Sequence, residues 1–494
     1  MPTPYRLPIT SLRPLAPIDR IAAIADANSI DAVVAALASP RPSPHLARWG
    51  IIARDDDGIV VARLRVHGRP VLVAAQDVRF LGGSVGAKHG EALALLFEQA
   101  RTERPAAVVL LLASGGVRLH EANPAELALA RALRGLLDTR VAGIPVLTLA
   151  VGDVFGGASV VACASDRLAL LPETRLGLSG PKVIEMVHGR DELEAGDADE
   201  VDKLFGEKAR AAAGQVELLV DDIEAIRSWI ALAARTQRSF DVEVLAMHAR
   251  LGARLAAAES NATVGNQPTT GQRLPLFIDR DAVATGQRLP LFVDSDAVDQ
   301  GGWLWKARGR AIWITRPAGA STFGPRQAHA LDTALLAQLS GNKSEQAQTL
   351  IVIEDSSGHE ATRSAEAAGV AQYLAHHAAV LALLRARGVR VLGLLAGVGH
   401  SAAFFANALQ APFLCALDTA RVIAMDPAAI ARVTRLDAAR VGALIESDPL
   451  LGQPVRCFAH SGGVAEIRSV IDDSTLSELV AQASAGSGVS ELRG

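Results

Sequence analysis

Two stretches of this chain carry the same order of elements, and that repetition limits what it can fold into more than any other feature. GIPVLTLAVG beginning at Gly143 and GVRVLGLLAG beginning at Gly388, 245 positions apart, share Gly, Val, Leu, Leu and Gly in register. The runs that precede them, AVVLLLASGG at 107–116 and TLIVIEDSSG at 349–358, correspond as well. Short continuous apolar runs read as strands buried on both faces. Between them lie helical patterns such as GEALALLFEQARTE and the alanine-rich stretch 124–138. This alternation predicts βαβ units and a largely parallel sheet. Its recurrence predicts an internal duplication, with two α/β domains packed as a pseudo-dimer and a ligand site where they meet. With 494 residues, half of them hydrophobic and 21% charged, the chain is too long for one core and rich enough in apolar residues for two.

The junction falls at 259–302, where the sequence turns polar. It holds a tandem duplication, TGQRLPLFIDRDAVA at 270–284 followed by TGQRLPLFVDSDAV at 285–298. A 15-residue period present twice fits no solenoid, so the segment reads as a linker between domains 1–258 and 303–494. The net charge of −4 excludes a general affinity for nucleic acid. Cys163, Cys415 and Cys457 form no CxxC pair, which leaves neither a disulfide framework nor a zinc ribbon and fits a reducing compartment. The N-terminal stretch lacks the charged-then-apolar order of a signal peptide, and the strongest apolar run, 107–113, is too short to cross a bilayer. The expectation is a cytoplasmic protein with no membrane contact.

Glycine pairs punctuate the first half: Gly82-Gly83, Gly115-Gly116 and Gly156-Gly157. The last two follow buried strands and open helical patterns, where backbone N–H groups can face an anion or oxyanion. Each pair also serves simply as a tight turn. Two of them at equivalent strand ends point to a site. No P-loop, Rossmann GxGxxG or HExxH is present, and the acidic stretch 191–202 has no histidine or EF-hand spacing, so no metal is expected. GHSAA at 399–403 differs from a GxSxG nucleophile elbow by alanine in the last place. It offers Ser401 as a nucleophile with His400 or His359 as base. The alternative, favoured because no orienting acid can be located, is that Ser401 is the small residue equivalent to Gly156.

LGGSVGAKHGE, SGGVRLHEAN and RLGLSGPKVIE resemble the β subunit of biotin-independent malonate decarboxylase over most of residues 5–240. GVRVLGLLAGVGHSAAFFANALQAPFLCALDTARVIAMDPAAIARVTR resembles its γ subunit over about residues 300–480. The resemblance implies a fusion of the two, with a crotonase-like carboxyltransferase fold of ββα spiral repeats in each half. It implies decarboxylation of a malonyl thioester carried on the phosphoribosyl-dephospho-CoA arm of an acyl carrier protein, with no covalently bound cofactor. The implied partners are that carrier protein and an acyl-carrier transferase subunit, besides further copies of the chain. The related acetyl-CoA carboxylase β subunit carries a zinc ribbon in bacteria, and no such cysteine pairs occur here.

Loss of CO₂ pushes two electrons into the thioester, so preorganised N–H donors facing its oxygen lower the barrier, by about 2.7–4 kcal/mol for one good donor. Matched to the family motifs, the donors are the amides around Gly115, Gly116, Gly156 and Gly157, with those near Gly358, Ser401 and Ala402 in the second half. Gly82, Gly83, Ser84 and Lys88, together with Arg118 and the turn Gly180, Pro181 and Lys182, are assigned to substrate or carrier-arm binding. His89, His120 and His400 are candidate proton donors. Two other classes stay open: a biotin-dependent acyl-CoA carboxyltransferase and a non-catalytic assembly subunit.

Overall fold

The computed structural model describes residues 10–31, 42–235, 239–262, 295–297, 304–307, 312–315, 322–339, 348–471 and 473–485. Contacts divide the chain into two compact units, one of residues 1–118 and 135–239, the other of residues 119–134 and 240–494.

The first unit is built on a six-stranded sheet whose strands lie in sequence order. β1 (Ile59–Val66) and β2 (Arg69–Gln76) form an antiparallel hairpin, from Ile59 opposite Gln76 to Val66 opposite Arg69. His67 and Gly68 turn it with φ of +47° and +75°, the positive pair that matches the twist of a two-residue hairpin. β3 (Ala107–Ser114), β4 (Val146–Val154), β5 (Arg167–Leu170) and β6 (Glu217–Leu218) add in parallel. Every residue of β3 is buried, as its unbroken apolar run predicts for a strand covered on both faces. Val73, Val109, Leu111 and Leu149 share a core with Ile226, Trp229 and Ile230 of the helix Ile223–Ala233. The helix Ala87–Glu103 packs on β1 and β2 and buries Leu93, Leu96 and Phe97.

In the second unit β7 (Ser295–Ala297), β8 (Leu304–Ala307) and β9 (Ile312–Thr315) are antiparallel neighbours. β10 (Thr349–Glu354) and β11 (Arg390–Leu395) extend that sheet in parallel, followed by β13 (Phe413–Leu417) and β15 (Glu466–Arg468). β12 (Val398–His400) and β14 (Arg421–Ile423) pair apart from it. An antiparallel pair, β8 and β9, followed by four parallel strands repeats the plan of β1 and β2 followed by β3 to β6. The expected α/β duplication is therefore present in the strand order of each unit. The helix Val370–Ala386 is buried on all sides, which its run of Ala, Val and Leu permits.

Two boundaries differ from expectation. The junction drawn at residue 259 falls inside the helix Phe240–Ala262, whose Tyr373 and Arg387 contacts place it in the second unit from Phe240 onward. Ser295–Ala297, inside the second copy of the tandem repeat, form β7, with Ser295 opposite Ala307. Sheet pairing, not tethering, is the role of those three residues. The remainder of the expected linker, 263–294 and 298–302, lies outside the described residues. No helix among the described residues is long and apolar enough to cross a membrane.

Candidate active site

In the first unit β3 ends at Ser114 and β4 at Val154, and the turns that follow meet backbone to backbone. Gly116 has φ of +95°, and a Cβ built on it lies 3.0 Å from Gly156 Cα. Gly156 has φ of +63°, and its Cβ meets Gly116 Cα at 2.9 Å. Neither position tolerates a side chain, on conformational or steric grounds. Gly83 packs as closely, its Cβ falling 2.0 Å from Ala113 O.

These contacts use up most of the amides that the glycine pairs suggested. Gly115 N donates to Gly82 O (3.0 Å), and Gly116 N to Ser114 Oγ (3.2 Å), which itself donates to Gly83 O (2.8 Å). Gly156 N donates to Leu178 O (3.0 Å). As oxyanion donors Gly115, Gly116 and Gly156 are therefore corrected to scaffold, because their N–H groups already hold protein carbonyls or a hydroxyl. Gly157 and Ala158 open the helix Gly157–Cys163, and their N–H groups have no acceptor among the described residues.

The groups assigned to substrate or carrier binding separate in the same way. Arg118 is fully buried, paired with Asp57 (2.5 Å), and donates to Ser84 O (2.9 Å) and Asp57 O (3.1 Å). It holds the Gly82 to Ser84 turn in place and is corrected from anion binding to support. His89 lies beneath it, its main-chain N–H on Asp57 Oδ2 and its ring against the Gln76 amide (2.9 Å). Burial, reinforced by the Arg118 charge, lowers the His89 pKa to about 3, so this ring is neutral and is corrected from proton donor to core. Gln76 Oε1 in turn accepts from Ala113 N (3.1 Å), tying the cluster to β3. Asp57 and Gln76 escaped sequence reading because neither belongs to a recognisable motif. Lys88 pairs with Glu91 one helical turn away. Lys182 is exposed on the first turn of the helix Pro181–His188, capped by Gly180, with no ion pair among the described residues.

The second unit repeats the pair of turns. Gly358 (φ +101°) stands where Gly116 stands, and Ser401 (φ +52°) where Gly156 stands. The helix Ser401–Ala406 begins there, with Ala402 buried as its second residue. His400 Nδ1 donates to Ser357 O (2.9 Å), and the Ser401 hydroxyl lies 3.5 Å from His359 Nδ1. Burial, then the neighbouring His400 ring, lowers the His359 pKa to about 4. His120 is buried in this unit rather than in the first.

Behind these turns runs a buried polar chain that the motifs did not reveal. Asp332 Oδ1 meets His377 Nδ1 (2.7 Å), and His377 Nε2 meets Asn407 Oδ1 (3.0 Å). Asn407 Nδ2 donates to Glu354 Oε2 (2.7 Å), and Ser356 Oγ to Glu354 Oε1 (2.6 Å). Although burial opposes charge on the ring, Asp332 holds the His377 pKa above its usual value. Burial raises the Glu354 pKa to about 7, and burial with the Glu354 charge raises that of Glu126 to about 8. An acid ending the apolar run TLIVIE was the one sequence sign of this chain. Among the described residues no cluster of His, Cys, Asp and Glu is arranged to hold a metal ion.

The family model described as Carboxyl transferase domain matches residues 42–246, and that described as Malonate decarboxylase gamma subunit matches residues 318–493. The chain thus carries a carboxyl transferase domain match in its first half and a malonate decarboxylase gamma subunit match in its second. Among its relatives is the malonyl-S-ACP:biotin-protein carboxyltransferase MADC of Malonomonas rubra, 36% identical over 203 residues, covering 38% of this chain and 63% of that protein. The acetyl-coenzyme A carboxylase carboxyl transferase subunit beta of Synechococcus sp. (strain WH7803) is 33% identical over 177 residues, covering 34% of this chain and 60% of that one. A solved Pseudomonas malonate decarboxylase hetero-tetramer in complex with malonate aligns at 31% identity over 53% of this chain and 94% of that chain, with a TM-score of 0.44. The chain thus spans less than two thirds of the length of these two curated relatives.

Proposed function

We propose that this chain decarboxylates a malonyl thioester carried by an acyl carrier protein, giving the acetyl thioester and CO₂. The observation that carries the reading is the backbone contact of Gly116 with Gly156, which fixes the start of the next helix and leaves the Gly157 and Ala158 amides uncommitted. The electron pair released when the bond to CO₂ breaks moves into the thioester carbonyl. Two amides held in place before the reaction stabilise the resulting enolate oxygen without reorganising. The neutral His89 and the supporting Arg118 take no part in proton transfer. The exposed Lys182, beside Gly180 and Pro181, is the cation assigned to the phosphates of the carrier arm, a phosphoribosyl-dephospho-CoA group. The proposed partners are the carrier protein and an acyl-carrier transferase subunit, and no biotin is required.

A second reading is favoured by the Malonomonas rubra relative, which is named a biotin-protein carboxyltransferase. There the same enolate forms, but the carboxyl group passes to biotin. The two separate in one experiment: malonyl-loaded carrier and malonyl-CoA are incubated with the purified chain, with and without avidin. CO₂ release from the carrier substrate that avidin leaves unchanged supports decarboxylation. Release only with a biotinylated acceptor present, abolished by avidin, supports transfer instead.

A further inference from the structure

Ser401 is an L residue in the left-handed region, at the sharp turn from β12 into the helix Ser401–Ala406. Its counterpart in the first unit, at φ +63°, is Gly156. A serine kept where glycine turns without strain points to a use for its hydroxyl. That hydroxyl lies 3.5 Å from Nδ1 of His359, a separation that a nucleophile and its base show before substrate draws them together. The Gly358 amide, next to His359 in the chain, has no acceptor among the described residues. Ser401 itself is only partly buried and so open to a substrate.

We propose that Ser401 is a nucleophile and His359 its general base, so that the second unit holds a separate catalytic site acting on acyl thioesters through a covalent acyl-serine. The nucleophile is argued from this geometry alone; the choice of thioesters rests on the function proposed above. In the first half-reaction Ser401 Oγ bonds to the acyl carbon as its proton passes to His359 Nδ1, and the carbonyl electron pair moves onto oxygen. Collapse of this adduct breaks the C–S bond, and the thiolate takes the proton from His359. Water then attacks the ester, giving its proton to His359. The second collapse releases the carboxylic acid and returns that proton to Ser401. The sum is thioester plus water giving acid plus thiol, with no change of oxidation state and no CO₂.

His359 carries no compensating charge at neutral pH, since burial and the adjacent His400 keep it deprotonated, the form a base requires. The test is mass-spectrometric detection of a fluorophosphonate on the full chain, together with thiol release from acetyl-CoA. The expected result is one label per chain on the Ser401 peptide. Thiol release should fall by at least about 100-fold in Ser401→Gly, which removes the hydroxyl while relieving the turn, so that the variant melts no lower than the parent. His359→Gln should slow labelling by at least about tenfold. An unlabelled Ser401 in the folded chain overturns the proposal, as does thiol release that Ser401→Gly leaves at the parent rate. Labelling is independent of CO₂ release. A chain that labels but does not decarboxylate therefore overturns the function proposed above and leaves this site standing.

Discussion

Single glycines separate support from chemistry in the first unit. Gly116 and Gly156 touch through their Cα atoms, and their own amides are bonded within the protein, whereas Gly157 presents an uncommitted N–H one residue further on. Gly157→Val is expected to keep the fold, with a melting temperature within a few degrees of the parent, and to lose about 10²–10³ in kcat for CO₂ release. Near-parent turnover in a folded Gly157→Val chain would displace the proposed donors. Gly116→Ala should behave oppositely. Its Cβ would sit 3.0 Å from Gly156 Cα at φ +95°, so thermal unfolding should report a loss of about 1–3 kcal/mol. Both glycines are conspicuous in the sequence, but only the hydrogen bonds tell which one has a free donor.

At the scale of elements, the end of β10, the helix Val370–Ala386 and the segment after Ser401–Ala406 are stitched by the chain from Asp332 to Ser356. Glu126, on the helix Ala122–Val141, adds a second carboxyl beside Glu354. Both acids have native pKa values, about 8 and about 7, above their ordinary 4.5. The native state therefore holds protons that the unfolded state releases, and stability from this pair is present below pH 4.5 and lost as pH rises through 7 to 8. Glu126→Gln keeps the shape and removes the titration. Its melting temperature should fall less steeply than the parent's between pH 5 and pH 8, a range set by those two values. Parallel slopes in thermal scans would show that the two carboxyls do not share a buried site.

For the molecule as a whole, buried and half-buried histidines of both units act in the other direction. His89, His359 and His376 have pKa values lowered to about 3, about 4 and about 4 from 6.5, chiefly by burial. Each contributes stability present above pH 6.5 and lost as pH falls toward its native value, because the unfolded chain takes up protons that the folded chain refuses. The loss of carboxyl stability with rising pH and of histidine stability with falling pH should leave a maximum in melting temperature near pH 6, about where the two slopes cancel. Glu126→Gln should move that maximum upward. A melting temperature flat from pH 4 to pH 8 would mean that these groups are solvated in the native state, contrary to the burial of His89, His376, Glu126 and Glu354.

Period and composition by themselves determined the α/β class, the strands at 107–114 and 146–154, the doubling of the plan and the turns where the candidate sites lie. These are local or repeated patterns: an unbroken apolar run must be buried, and glycine after a strand must turn. The tertiary structure decided everything that depends on what lies across a gap in the sequence. Whether Arg118 meets a phosphate or Asp57 depends on a residue 61 positions away. The use of the Gly156 amide depends on Leu178, and the neighbour of the Ser401 hydroxyl is His359, 42 positions earlier. A hydrogen bond saturates a donor that the sequence can only count, so the residue types at a site were legible in the sequence and the atoms still free to act were not.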